Sequence, residues 1–203
     1  MFSRNYSKLV DLAYNYLGYK KINRCEEIDL LIFECIDEIE KLNSFKYIYQ
    51  EYDYLIDVLN KEPYISYLKD CKVYYICAMT LGLEIDKKIN YYSITNLLKM
   101  YVFDAVSSAY LEYKSDEYEK SIFNNSLYRF CPGYNGSSIE DIKKLYKILK
   151  ADKIGISLNS SNLMIPQKSM IGIVSVAKNK KSCDDCIIRD SCEYKKGGTK
   201  CNI

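Results

Sequence analysis

The sequence has no histidine and no tryptophan, only three prolines and eight glycines, and no apolar run long enough to cross a membrane. Without histidine, the commonest general base at neutral pH is missing. Ser-His and Cys-His nucleophile pairs and imidazole metal ligands are excluded with it. Any acid–base chemistry would fall to Asp, Glu, Lys, Tyr or Cys. The missing apolar span and the lack of a signal-peptide pattern predict a cytoplasmic protein that does not enter membranes. One-sided charge is missing too: 29 basic and 27 acidic residues leave a formal net charge of +2. Lys and Arg are spread along the chain with short runs such as Lys178–Lys181 and Lys195–Lys196, which is not the basic footprint of a nucleic-acid binder.

What is present is an ordinary globular composition, 203 residues with 48% hydrophobic and 28% charged. That length fits one large domain, or one domain with an appendage. Residues 6–17 form a short amphipathic helix candidate stopped by Gly18. From residue 26 to 42, Ile28, Leu31, Ile32, Cys35, Ile36, Ile39 and Leu42 recur at three- and four-residue spacing, with acids on the other face. This is a core-facing helix. Residues 45–54 are aromatic-rich and alternate, and 72–80 (KVYYICAMT) are apolar and β-leaning, so both read as strands. A long helix is predicted over 95–118. A further helix over 139–149 would be capped by Ser137 or Ser138 with Glu140 or Asp141 three residues on. Strand-like segments 154–158 and 169–177 follow, separated by Pro166. Helices and strands do not alternate regularly, so the expected class is α+β: a mixed or antiparallel twisted sheet flanked by helices. Residues 1–178 would form the domain and 179–203 a cysteine-rich tail, with 178–182 as the hinge.

The segment Arg129-Phe130-Cys131-Pro132-Gly133-Tyr134 stands out within the domain. Pro132 fixes its own backbone and biases Cys131 toward extended geometry, while Gly133 permits a sharp turn. Asn135, Gly136, Ser137 and Ser138 continue it as a polar loop toward a helix start. Such a loop presents backbone amides, an arginine fork and a tyrosine face, which suit a zwitterionic ligand with an aromatic base. The plainer alternative is a proline-glycine turn beside a surface arginine.

This segment resembles the R-x-x-x-G-Y signature of the activation-domain family of cobalamin-dependent methionine synthase. The resemblance continues in register to Lys153-Ile154-Gly155-Ile156. Met164-Ile165-Pro166-Gln167-Lys168-Ser169 and Gly172 are similar to the family's M-x-P-x-x-S-x-x-G stretch. Upstream, Ala78-Met79-Thr80-Leu81-Gly82 and Asp104-Ala105-Val106 through Glu112 look like segments of the short, free-standing members. Together these cover most of residues 5–177. One departure is Ser138, where the large enzymes carry a proline four residues after the motif tyrosine.

The resemblance implies an S-adenosylmethionine-binding module that supports reductive methylation of cob(II)alamin. It would work as a subunit of a methyltransferase rather than as a self-contained catalyst. Arg129 would hold the ligand carboxylate, Gly133 would offer backbone contacts and Tyr134 would lie against the ligand. The partner for the ligand's ammonium or sulfonium is sought on the stripe Asp104, Ser108 and Glu112, spaced every four residues on one helix face. Glu112 and Asp104 are the candidates, and a solvated helix face is the alternative. With no histidine to offer cobalt, cobalamin would come from a separate methionine synthase polypeptide, and the electron from a donor such as flavodoxin or ferredoxin. A self-contained methyltransferase of the nucleotide-binding type is not expected, because no glycine-rich strand-to-helix loop occurs near the N-terminus. The rival expectation is a metal-containing electron carrier or scaffold partner of a corrinoid methyltransferase that binds no S-adenosylmethionine.

The nine cysteines divide into two groups. Cys25, Cys35, Cys71, Cys77 and Cys131 lie in apolar contexts and are expected as buried small hydrophobes. The others form Cys183-x2-Cys186-x5-Cys192-x8-Cys201, with Gly197 and Gly198 able to fold the chain back. Four thiolates suit a structural zinc or a [4Fe-4S] cluster, and spacing alone leaves both open. The C-x2-C-x5-C part resembles auxiliary iron–sulfur domains of radical enzymes; a disulfide-linked or disordered tail is the alternative. Anaerobically purified protein should therefore carry stoichiometric zinc or iron, and Cys183→Ala with Cys186→Ala should remove it. Elemental analysis that finds neither metal in well-folded protein would dispose of the site.

Overall fold

A computed structural model describes residues 6–19, 24–69, 71–123, 129–134 and 136–176. The tail cysteines Cys183, Cys186, Cys192 and Cys201, and the proposed boundary at 178, lie outside the described residues. Six helices are described: α1 (Ser7–Tyr16), α2 (Glu26–Leu42), α3 (Tyr64–Leu68), α4 (Leu83–Thr95), α5 (Leu97–Ile122) and α6 (Asp141–Leu149). The strands are β1 (Lys46–Tyr52), β2 (Val73–Thr80), β3 (Ser157–Leu158), β4 (Met164–Ile165) and β5 (Ser169–Val176).

The sheet is antiparallel throughout, in the order β1-β2-β5, with Cys77 opposite both Tyr49 and Gly172. Beyond β5, Phe130 pairs with Ile173 through two backbone hydrogen bonds of 2.8 Å, which extends the sheet by one short segment. Because side chains alternate along a strand, β2 serves two cores. Cys77 and Met79 face a cluster built from α1, α2, α4 and α5. Tyr74, Ile76 and Ala78 face a second cluster containing α3, α6 and Phe130. The architecture is thus helices, sheet, helices, an α+β fold as the pattern predicts.

α2 forms where its periodicity places it, burying Ile32, Cys35, Ile36 and Ile39, with Glu26, Glu27 and Asp29 complementing the positive end of its dipole. The long helix differs from expectation. Asn96 adopts an extended backbone (φ −157°), ends α4, and caps α5 by accepting a hydrogen bond from the Lys99 amide at 3.0 Å. α5 consequently begins at Leu97 rather than 95 and runs to Ile122. α4 has no counterpart in the sequence reading. It buries only Ile85, Ile89 and Tyr92 and leaves Ile94 exposed, so its periodicity is weak. α5 is surrounded on several sides, and its buried serines satisfy themselves: Ser107 and Ser115 donate to the carbonyls of Phe103 and Leu111 at 2.6 and 2.7 Å.

The predicted capping box before α6 does not form. The helix starts at Asp141 without a side-chain cap. Ser137 is instead used upstream, accepting from the Gly133 amide at 3.0 Å and donating to the Tyr134 carbonyl at 2.7 Å. The strand expected over 154–158 shrinks to Ser157–Leu158, because 151–154 form a 3₁₀ turn that Gly155 ends in a left-handed conformation (φ 86°). Of the five scattered cysteines, Cys35 and Cys77 are buried and Cys71 and Cys131 half-buried, while Cys25 is exposed, against expectation.

Candidate functional site

Arg129 lies one residue before Phe130, which points into the second core against Tyr64 and Tyr67. Arg129 and Cys131 therefore project to the opposite face, beneath α5. The arginine lies flat over β5, and Gly172 makes this possible. A Cβ added at Gly172 would stand 2.7 Å from Arg129 Cγ, 2.9 Å from Cδ and 3.2 Å from Cys131 Sγ. The guanidinium is 5% exposed and finds its charge partner on α5. Nε and Nη2 donate to the two oxygens of Glu119 at 2.8 and 3.1 Å, a bidentate fork. Nη2 also reaches Asp116 at 3.2 Å, and Nη1 lies 3.4 Å from the Met170 sulfur. Glu119 accepts a further hydrogen bond from Tyr47 at 3.0 Å, and Asp116 accepts one from Lys8 at 2.8 Å. Burial works against the charge on Arg129, yet the Glu119 carboxylate holds the guanidinium firmly protonated.

Gly133 and Tyr134 form an exposed turn. Gly133 sits at φ 91°, a conformation that favours glycine, while Ile139 leaves ordinary space around it. Its amide is not free for a ligand, since Ser137 takes it. Tyr134 is 66% exposed. The Ser138 side chain accepts from the Glu140 amide at 3.2 Å.

The three polar positions on α5 share one flank but have separate partners. Asp104 and Ser108 are both engaged by the buried Lys168, whose ammonium lies 2.8 Å from the Asp104 carboxylate and donates to Ser108 at 2.9 Å. Glu112, two turns further on and about 12 Å along the helix, accepts from the Tyr16 hydroxyl at 3.1 Å. Burial raises the Glu112 carboxyl above its ordinary range; Asp116 adds to this, and Tyr16, Arg129 and Lys8 act against it. Burial pushes the Cys131 thiol up to about 11, so it stays protonated at neutral pH.

The structure thus places Glu112 one helical turn from Asp116, which Arg129 reaches, and sets the Tyr16 hydroxyl on Glu112 and Cys131 beside Arg129 over Gly172, while Tyr134 stands on the exposed turn beyond. Asp104 is set apart on Lys168. Glu119, Asp116, Tyr16 and Lys168 have no signal in the sequence that marks them as site residues. Two open grooves lie elsewhere, one around Phe45, Tyr110 and Tyr118 and one around Glu38 and Lys99. Among the described residues, no group of three or more Cys, Asp or Glu side chains is arranged to hold a metal ion.

This arrangement of helices and sheet is similar to that in a crystal structure of the MetH reactivation domain bound to AdoHcy. The TM-score is 0.58 at 13% sequence identity, over 94% of this chain and 84% of that one. The two chains share a fold. No protein-family model and no curated protein matches the sequence. Within the shared fold, β5 and the Arg129 segment meet where Gly172 makes room for the arginine stem.

Two expectations follow. Gly172→Ala should destabilise the protein by about 1–3 kcal/mol, because the pinned Arg129 stem cannot move aside, as measured by denaturant unfolding. Glu112 has a folded-state pKa above its unfolded value. Its stabilising contribution is therefore complete below the unfolded pKa of about 4.3 and is lost as pH rises through the folded value. Glu112→Gln retains an acceptor for Tyr16. It should melt higher than the parent at pH 7, by a gain below about 1 kcal/mol, and lose that advantage near pH 4.

Proposed function

We propose that this protein is an S-adenosylmethionine-binding reactivation module that supports reductive methylation of cob(II)alamin carried by a cobalamin-binding methionine synthase polypeptide. The observation that carries this reading is the fold shared with a domain solved with AdoHcy. AdoHcy is what remains of S-adenosylmethionine once its sulfonium methyl group has left, so a site shaped for one suits the other. The R-x-x-x-G-Y segment adds to this, standing at the open edge of the sheet with Tyr134 facing solvent.

In this reading Tyr134 lies against the ligand, and the turn at Gly133 sets its direction. Arg129 takes the ligand carboxylate on the edge now shared with Asp116. Glu112 rather than Asp104 faces the cationic end, because Lys168 already neutralises Asp104. The chain has no histidine to ligate cobalt, which favours a separate polypeptide as the carrier of the corrinoid. When bound, the corrinoid supplies the cobalt nucleophile that accepts the methyl group, after reduction by a donor such as flavodoxin or ferredoxin. This chain's own work is positioning and electrostatics.

Calorimetric titration of the full chain with S-adenosylmethionine tests the reading. Tyr134→Ala, at an exposed position, should weaken binding about tenfold with no loss of fold. Arg129→Lys keeps the charge but removes the fork, and should weaken it at least as much. No binding by the parent, with or without the corrinoid partner, would favour a scaffold or electron carrier instead.

A further inference from the structure

Four acids line the flank of α5 that faces the site, and three of them are matched by cations. Asp104 lies 2.8 Å from Lys168, Asp116 lies 2.8 Å from Lys8, and Glu119 lies 2.8 Å from Arg129. Glu112 is different: its hydrogen-bond partner is the neutral hydroxyl of Tyr16, at 3.1 Å. Tyr16 is the last residue of α1, and α1 packs along α5, so the hydroxyl is delivered by the helix frame rather than by a loop. Tyr16 remains 51% exposed. A half-buried carboxylate with no cation in direct contact among the described residues, held by the hydroxyl of an exposed aromatic ring, is the chemistry that recognises a compact organic cation.

We propose that Tyr16 is a positioning residue that keeps Glu112 ionised and aimed at the sulfonium of S-adenosylmethionine, and so sets the preference for that ligand over neutral AdoHcy. This rests on the proposed function. The hydroxyl donates to the carboxylate, which favours the charged form. The charge is therefore available for a ligand that carries a positive sulfur and is of no use to one that does not. The two ligands differ by one methyl group and one unit of charge, so their affinity ratio isolates this contact. The titratable and charged groups facing Glu112 are Tyr16 and Lys8 from α1, Asp116 from α5 itself, and Arg129 and Cys131 from the sheet edge. Of these, Tyr16 is the one whose substitution by Phe changes no formal charge at neutral pH and keeps the ring in place.

The experiment is a pair of calorimetric titrations of the full chain, with S-adenosylmethionine and with AdoHcy, for the parent, Tyr16→Phe, Glu112→Gln and the double variant. The parent should prefer the charged ligand by about tenfold or more. Tyr16→Phe should shrink that ratio toward one, chiefly by weakening S-adenosylmethionine binding. It should also move the acid limb of S-adenosylmethionine binding to higher pH, because Glu112 then protonates more readily. Glu112→Gln should shrink the ratio equally, and the double variant should add nothing further. Glu112→Gln alone carries the test should Tyr16→Phe not fold. An equal loss for both ligands in Tyr16→Phe, or an unchanged ratio, would overturn the inference and leave the binding site standing. So would a parent that binds both ligands equally well. A parent that binds neither overturns the proposed function and this inference with it.

Discussion

The buried fork between Arg129 and Glu119 is the interaction on which the arrangement depends. Two charges that are 5% and 4% exposed can share an interior only if each is the other's partner and the remaining donors and acceptors are met. Here Tyr47 from β1 satisfies Glu119, Asp116 and Met170 approach the guanidinium, and Lys8 from α1 backs Asp116. The fork thereby gathers α1, α5, β1 and the segment beyond β5 around one point. Replacing either partner would strand the other, at about 3–5 kcal/mol. Its value lies less in net stability than in register. Arg129 reaches Glu119 only if Phe130 pairs with Ile173, and a one-residue slip would send the arginine into the opposite core.

Gly172 shows how the backbone serves this pair. It occupies the central position of the face on which Cys77, Arg129 and Cys131 meet, and its missing side chain is the space the arginine stem fills. Ser169, earlier on β5, donates to Thr80 at 2.8 Å and fixes the β2–β5 register at the other end. The stretch Met164 to Gly172 therefore positions the site through the sheet rather than by contributing an exposed binding group.

Much of the fold was legible in the sequence because it rests on periodicity. α2 has a strong three-and-four pattern and formed at the residues that pattern marks. β2 reads as an apolar run because both its faces are buried. α4 was not legible: it shows three buried positions and an apolar exposed end, so its pattern is diluted, and Asn96 as a break inside a helical stretch is a matter of backbone geometry. The capping box at Ser137 failed because a nearer amide, that of Gly133, competes for the same hydroxyl. Of the candidate site, Arg129, Gly133, Tyr134 and Glu112 were singled out in the sequence by motif and spacing. What surrounds them was not. Glu119 is one more acid on a charged helix until the fold lays it over Arg129, and Lys168 and Tyr16 are brought in from 64 and 96 residues away along the chain.

The fork also limits how Arg129 could serve a ligand. A carboxylate arriving from solvent cannot take the edge that Glu119 holds, since Glu119 is buried and would be left with an uncompensated charge. Asp116 is a different case. It is 33% exposed, lies 3.2 Å from Nη2, and has Lys8 at 2.8 Å to retain as its partner. Exchanging Asp116 for a ligand carboxylate would leave the Glu119 fork intact, strand no charge, and require only a side-chain rotation at the surface. Under the proposed function, Arg129 would keep its fork to Glu119 for the fold and offer a ligand the place Asp116 now takes at Nη2.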